Sequence, residues 1–412
     1  MNKIRREARL KPRPQPLPEG EGSNRARLGV VLLVLLLIMN ACAPTYYAGS
    51  DGVRAVQVDL DYVYDDDAAQ MDRNIDALVT RMRDMRITTV FLQAFADPTG
   101  TGLASAVYFP SQILPMRADI FGRVAAQLHE QAGVAVYGWL PVLSFDLGDR
   151  VTPVMAWDAQ TNAVAPADHA YHRASLFDLR ARRLIGQLFA EMAAHGAIQG
   201  ILFHDDAMLS DYEDASPPAL KAYQRAGLPD TIAALRNPTV IDQWTAFKTQ
   251  ALIDFTHELT NHARRVRSPL ATVRNIYALP VLNPHSEEWF AQNYRAFLDA
   301  YDFTAIEAMP AMENVPDDEA ETWFANLVKA ARDMRPDALR HTIFELQSVD
   351  WRKAKAHEDR AIPPDVLCDQ IGYLLRHGAV NIGYYPDDFK ANTPDFDRLR
   401  ESFSVEGSSA AR

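Results

Sequence analysis

The segment Ile201–Leu209, ILFHDDAML, brings His204, Asp205 and Asp206 to the end of an apolar run, and the acidic stretch SDYEDASP follows it. Neighbouring carboxylates in such a place can hold a metal, deacetylate a sugar, cut a glycosidic bond or cap a helix. Metal binding needs further converging ligands. The histidines of DHAYH, His169 and His172, lie in a loop without any further histidine pattern, so neither a metal nor a cofactor is expected. Acids that interrupt an apolar run are rarely incidental. Asp205 and Asp206 are therefore the leading candidates for proton chemistry, and His204 reads as a residue that orients a carboxylate. Glu213 and Asp214, further along, read as solvated loop charges.

Such groups work only if the fold gathers them. After Val53, short β-branched runs alternate with segments of helical period. Strands are expected at residues 55–61, 88–95, 134–142, 198–206, 271–279, 303–310, 341–347 and 379–387. Helices are expected at 69–86, 119–133 (capped by Asp119 and stopped by Gly133), 176–196, 241–266, 286–301, 317–334 and 364–378. Strands alternating with helices predict an α/β fold, a (β/α)8 TIM-type barrel. A doubly wound open sheet is the runner-up. Its nucleotide-binding version is disfavoured, because no glycine-rich fingerprint follows the first strand.

In a barrel the functional groups collect at the C-terminal strand ends. The first strand supplies Asp59, Asp61, Tyr62 and Tyr64, the second Gln93, the third Trp139, and the fourth His204 with the two aspartates. The fifth gives Asn275 and Tyr277, the sixth Glu313, the seventh Glu345 and Gln347, and the eighth Tyr384, Tyr385, Asp387 and Asp388. Acids for proton transfer mixed with aromatic faces for stacking point to a carbohydrate. Taken alone, Asp65–Asp67 and Asp387–Asp388 serve equally well as helix caps.

The chain has 412 residues, 48% of them hydrophobic, and a formal net charge of -12. That charge argues against nucleic acid and favours a neutral or cationic ligand. The N-terminus differs in kind: eight basic residues precede the apolar run Leu28–Met39, and Ala41 and Cys42 follow. This is the pattern of a lipoprotein signal peptide over 1–41, with lipidation at Cys42, a tether over 42–54, the barrel over 55–403 and a disordered tail over 404–412. Ala43 is similar to the outer-membrane sorting choice, which puts the protein in the periplasm on a lipid anchor. An uncleaved signal anchor would face the same compartment. The other cysteine, Cys368, reads as a small buried hydrophobe.

The motifs VDLDYVYDDDAAQMDRNIDALVTRM, TTVFLQAFADPTGTG, YGWLPVLSFDL, GILFHDDAMLSDYEDASP, EAMPAMEN, FELQSVDW and NIGYYPDDF stand in order. From Ala55 to Phe403 the chain resembles the C-terminal glycoside hydrolase domain of the periplasmic lipoproteins that process poly-β-1,6-N-acetylglucosamine, a biofilm exopolysaccharide. That family places a deacetylase domain ahead of the barrel. Here Cys42 runs into the barrel within about a dozen residues, and the deacetylase motif of an Asp pair with a downstream His-x-x-x-His is not seen. The resemblance implies an endo-acting β-1,6-glucosaminidase on partially deacetylated polymer, which is cationic. An export porin is a further implied partner.

It also implies an essential acid at Asp205 or Asp206. Glu313 or Glu345 would serve as base, nucleophile or oxocarbenium stabiliser. The sugar subsites would be lined by Asp59, Asp61, Tyr62, Gln93, Trp139, His204, Tyr277, Gln347, Tyr384 and Tyr385. Two other classes of function remain open: a barrel that holds the polymer without cutting it, and a metal-dependent deacetylase.

Overall fold

The computed structural model describes residues 52–98, 100–167, 171–352 and 360–404. The proposed signal segment, Cys42, most of the tether, His169 and the tail beyond residue 404 lie outside the described residues.

Eight strands form the centre: β1 (Arg54–Val58), β2 (Thr89–Gln93), β3 (Ala135–Leu140), β4 (Gly200–Phe203), β5 (Ala271–Tyr277), β6 (Phe303–Glu307), β7 (Thr342–Gln347) and β8 (Asn381–Tyr385). All neighbours pair in parallel, and the sheet closes in the order β1-β8-β7-β6-β5-β4-β3-β2. This is the (β/α)8 barrel that the alternation predicts. Strands β2, β3 and β4 are buried along their whole length, which is why they read as nearly continuous apolar runs.

Each strand is followed by a principal helix: α1 (Ala68–Asp84), α2 (Phe121–Gln127), α3 (Leu179–His195), α4 (Ile241–Arg264), α5 (Tyr294–Ala300), α6 (Ala320–Met334), α7 (Pro364–Arg376) and α8 (Phe396–Ser404). Asp67 caps α1 by accepting from the Ala69 amide, and Asp178 caps α3 through Arg180. Two helical expectations are corrected. The N-cap of α2 is Ile120 rather than Asp119, although the chain does stop at Gly133 (φ 73°) after a wider turn. The expected helix over 286–301 is broken at Ala291 (φ 51°), and Asn293 starts α5 afresh by accepting from the Ala296 amide.

Between β4 and α4 lies an insertion with its own apolar core. Two short helices, Pro217–Arg225 and Ile232–Leu235, pack Ala219, Tyr223, Ile232 and Leu235 against Trp244 of α4. Cys368 is half-buried on α7 rather than enclosed, with its Sγ donating to the Arg398 carbonyl at 3.6 Å.

Candidate active site

The two aspartates after β4 have opposite environments. Asp206 is fully buried, and its carboxylate accepts from three consecutive amides beyond β3: Val142 at 2.8 Å, Leu143 at 2.6 Å and Ser144 at 2.8 Å. Its oxygens are committed to holding one loop against the next. Asp205 instead meets side chains that can move protons. The Tyr171 hydroxyl donates to both its oxygens at 3.0 Å, and His204 Nδ1 lies 2.8 Å from Oδ1. The same nitrogen is 3.8 Å from Asp206 Oδ1, so the imidazole sits between the two carboxylates. Burial opposes charge on both partners, but mutual attraction wins: His204 is pushed up to about 10, and Asp205 is held below the usual carboxylate range.

Strand register supplies two further acids. Glu307, the last residue of β6, pairs with Glu345 of β7 on one side and Tyr277 of β5 on the other. Glu345 Oε2 accepts from Asn275 Nδ2 of β5 at 2.9 Å. Because β6 stands between those two strands, this bond must cross the barrel interior, and the paired Glu307 shares that face. Burial, then the charges of Asp205 and Glu345, hold Glu307 well above its ordinary value. Burial raises Glu345 to about 7 against the opposing Asn275 bond. Asp205 is thus the carboxyl biased toward its charged form, and Glu307 the one biased toward its protonated form. Environments that push neighbouring carboxyls apart in this way separate acid from base.

Aromatic rings flank these acids. Trp139 of β3 lies 5.3 Å from the His204 ring and 5.6 Å from Tyr385 of β8, and Trp351 stacks on Tyr385 at 5.8 Å. The Tyr385 hydroxyl donates to Asp59 Oδ2 at 3.4 Å, and burial followed by the Asp61 charge raises Asp59 to about 7. Asp59 Oδ1, Glu345 Oε1, Asn275 Oδ1 and Trp139 Nε1 are buried without a hydrogen-bond partner in the protein. That unused capacity suits the hydroxyls and amides of a sugar.

Several expected site residues are engaged elsewhere. Asp61 receives Tyr108 and Arg117 at 2.6 Å each, together with the Asp97 amide, so it ties loops together. Tyr384 points away from its neighbour Tyr385 and donates to Asp387, which is paired with Arg81 at 3.0 Å. Gln347 bridges the Met312 amide and the Val349 carbonyl, and Gln93 accepts from the Asp61 amide. Tyr62 is half-buried beside Asp59. Tyr277, by contrast, stays at the site: it is half-buried in the row of Glu307, its hydroxyl helps to hold the Asp205 carboxyl low, and its ring lies 5.2 Å from Phe290. Glu313 is exposed on a turn beyond β6.

Glu213 and Asp214 are not solvated but fully buried: Glu213 pairs with Arg173 at 2.9 Å, and Asp214 accepts from Ser175 at 2.6 Å. Sequence reading also passed over Glu307, Tyr171 and Trp351. A glutamate inside the apolar run FTAIEAM carries the same signal as the acids of ILFHDD, but extending β6 to Pro310 hid it as a mid-strand residue. Among the described residues, no group of three or more His, Cys, Asp or Glu side chains is arranged to hold a metal.

The family model described as hypothetical glycosyl hydrolase family 13 matches residues 57–385. The poly-beta-1,6-N-acetyl-D-glucosamine N-deacetylase of Escherichia coli (strain K12) is 48% identical over 354 residues, covering 85% of this chain and 52% of the relative. The chain thus spans about half the length of the curated relatives it matches. The solved glycoside hydrolase domain of PgaB (BpsB) from Bordetella bronchiseptica is 43% identical with a TM-score of 0.79, covering 86% of this chain and 99% of that one. A beta-galactosidase from the psychrophilic Marinomonas ef1 shares the fold alone, at 13% identity and a TM-score of 0.59 over 86% of this chain and 59% of that one. With the greater part of its barrel matched in sequence and its architecture matched in space, this chain belongs to the family described as hypothetical glycosyl hydrolase family 13, GHL13.

Proposed function

We propose that the protein hydrolyses partially deacetylated poly-β-1,6-N-acetylglucosamine by internal cleavage, working in the periplasm from a lipid anchor at Cys42. The observation that carries this reading is the carboxyl cluster at the barrel mouth, where His204 favours the charged form of Asp205 and burial the protonated form of Glu307, beside the rings of Trp139 and Tyr385. Glu307 protonates the glycosidic oxygen as its bond to C1 breaks. Asp205 stabilises the positive charge developing on the ring and accepts the proton of the water that adds to C1, and that proton returns to Glu307 to restore the resting site. Asp206 holds the loop and takes no part in proton transfer. Acidic groups at the mouth, Asp59 among them, suit a polymer that carries ammonium groups once deacetylated.

The test is incubation of the purified protein with partially deacetylated polymer and mass analysis of the products. Shortened oligosaccharides support the reading, and intact polymer sinks it. Polymer retention without shortening would instead support a carrier. Chelator-sensitive acetate release would support a deacetylase.

A further inference from the structure

The segment that leaves β4 with Asp205 is held by buried basic side chains on three different elements, and burial lowers one of them, Lys248, to about 7. Arg274 of β5 donates to the carbonyls of Phe203 (3.2 Å), His204 and Ala207 (2.7 Å). Arg173 donates to the Met208 carbonyl and, with its other nitrogen, to Glu213 at 2.9 Å. Lys248 of α4 donates to the carbonyls of Ser210 at 2.5 Å and Glu213 at 3.3 Å, and its ammonium lies 3.9 Å from the Trp244 ring centroid. The Arg173 and Glu213 side chains have no solvent exposure, and Lys248 as a whole has none.

Burying cations is expensive, and apolar replacements often stabilise a fold as well or better. What these side chains add is direction, because their donors are aimed at particular carbonyls and so fix the path of the chain. Arg173 is also two residues from Tyr171, which contacts both oxygens of Asp205. One clamp therefore sets the carboxylate and the hydroxyl that meets it.

We infer that Lys248 and Arg173 are positioning residues for Asp205, acting through the backbone of residues 208–213 from side chains that are themselves closed to solvent. This rests on the reading of Asp205 as a reacting carboxylate. A displacement of about 1 Å at a reacting group can lower turnover by about a hundredfold. Lys248→Met in the full chain, assayed on partially deacetylated polymer where circular dichroism shows it folded, should lower kcat by about tenfold or more. KM should stay within about twofold, since the substitution leaves the stacking faces of Trp139, Tyr385 and Trp351 in place. Lys248→Gln, whose amide can still donate to a carbonyl, should regain most of the loss.

Unchanged kcat in folded Lys248→Met, with only its melting temperature lowered, would overturn the inference, as would equal losses in Met and Gln variants. If Lys248→Met does not fold even in the cold, Arg173→Lys decides. It keeps the charge but not the fork, and the inference requires kcat to fall while KM holds. A parent protein that leaves the polymer intact, or an Asp205→Asn variant that cuts normally, would instead refute the underlying reading of the site.

Discussion

Two arcs of the barrel rim use the same residue types for opposite purposes. Around β8 and β1, Asp387 meets Arg81 and the Tyr384 hydroxyl, and Asp61 meets Arg117 and the Tyr108 hydroxyl, so each acid has a guanidinium and a phenol of its own. From β4 to β7, Asp205, Glu307 and Glu345 crowd together with His204 as the nearby cation that sets their protonation. A saturated carboxylate is structural. One that must share a cation with its neighbours is left with an unusual affinity for protons, and that is where catalysis becomes available.

This contrast can be broken most severely in the β4 to β7 arc. Asp205→Asn and Glu307→Gln should each reduce cleavage of the polymer by about 10²–10⁴-fold with binding largely retained, measured by product mass and by equilibrium retention on the polymer. In the other arc, Arg81→Met should leave turnover close to the parent's in the folded protein. It should cost about 3–5 kcal/mol of unfolding free energy in urea, because Asp387 is left buried and unpaired. Asp206→Ala belongs with that second group despite its neighbour. Its three orphaned amides should cost about 3 kcal/mol or more, at about 1–3 kcal/mol for each group.

A subtler probe uses pH. Glu345 is raised from 4.5 to about 7, so the folded state binds its proton more tightly than the unfolded chain does. The resulting stabilisation is full below about 4.5 and is lost as pH rises through about 7, on the order of 3 kcal/mol in all. Glu345→Gln should flatten that part of the stability curve in denaturant titrations, leaving the variant more stable than the parent at pH values above 7. The smallest effect is expected from Tyr385→Phe, which should weaken polymer binding by about 1 kcal/mol or less through its hydrogen bond to Asp59.

The barrel was legible because its strands are short, β-branched and buried, while its helices carry a clear apolar stripe. The site was legible only as a set of strand ends. Asp205, Glu345, Trp139 and Tyr385 were all named from sequence, but so were Asp206, Asp61, Tyr384 and Gln347, whose hydrogen bonds turn them toward the scaffold. Period-two alternation tells that adjacent residues diverge without saying which of them faces inward. Glu307 was lost to an error of three residues in a strand boundary. Buried Glu213 looked solvated because its partner Arg173 stands forty positions away, a separation to which local patterning is blind.

The grip of Asp206 on the amides of Val142, Leu143 and Ser144 also bears on how this barrel can be rebuilt. Loops on barrels of this kind are commonly treated as separate modules on a fixed frame. Here the loop after β3 and the loop after β4 are fastened to each other, at this joint by a side chain from one and the backbone of the other, and elsewhere by Arg173 on Glu213 and Ser175 on Asp214. Grafting either loop alone onto a related barrel would carry half a joint, so the two form a single transferable unit.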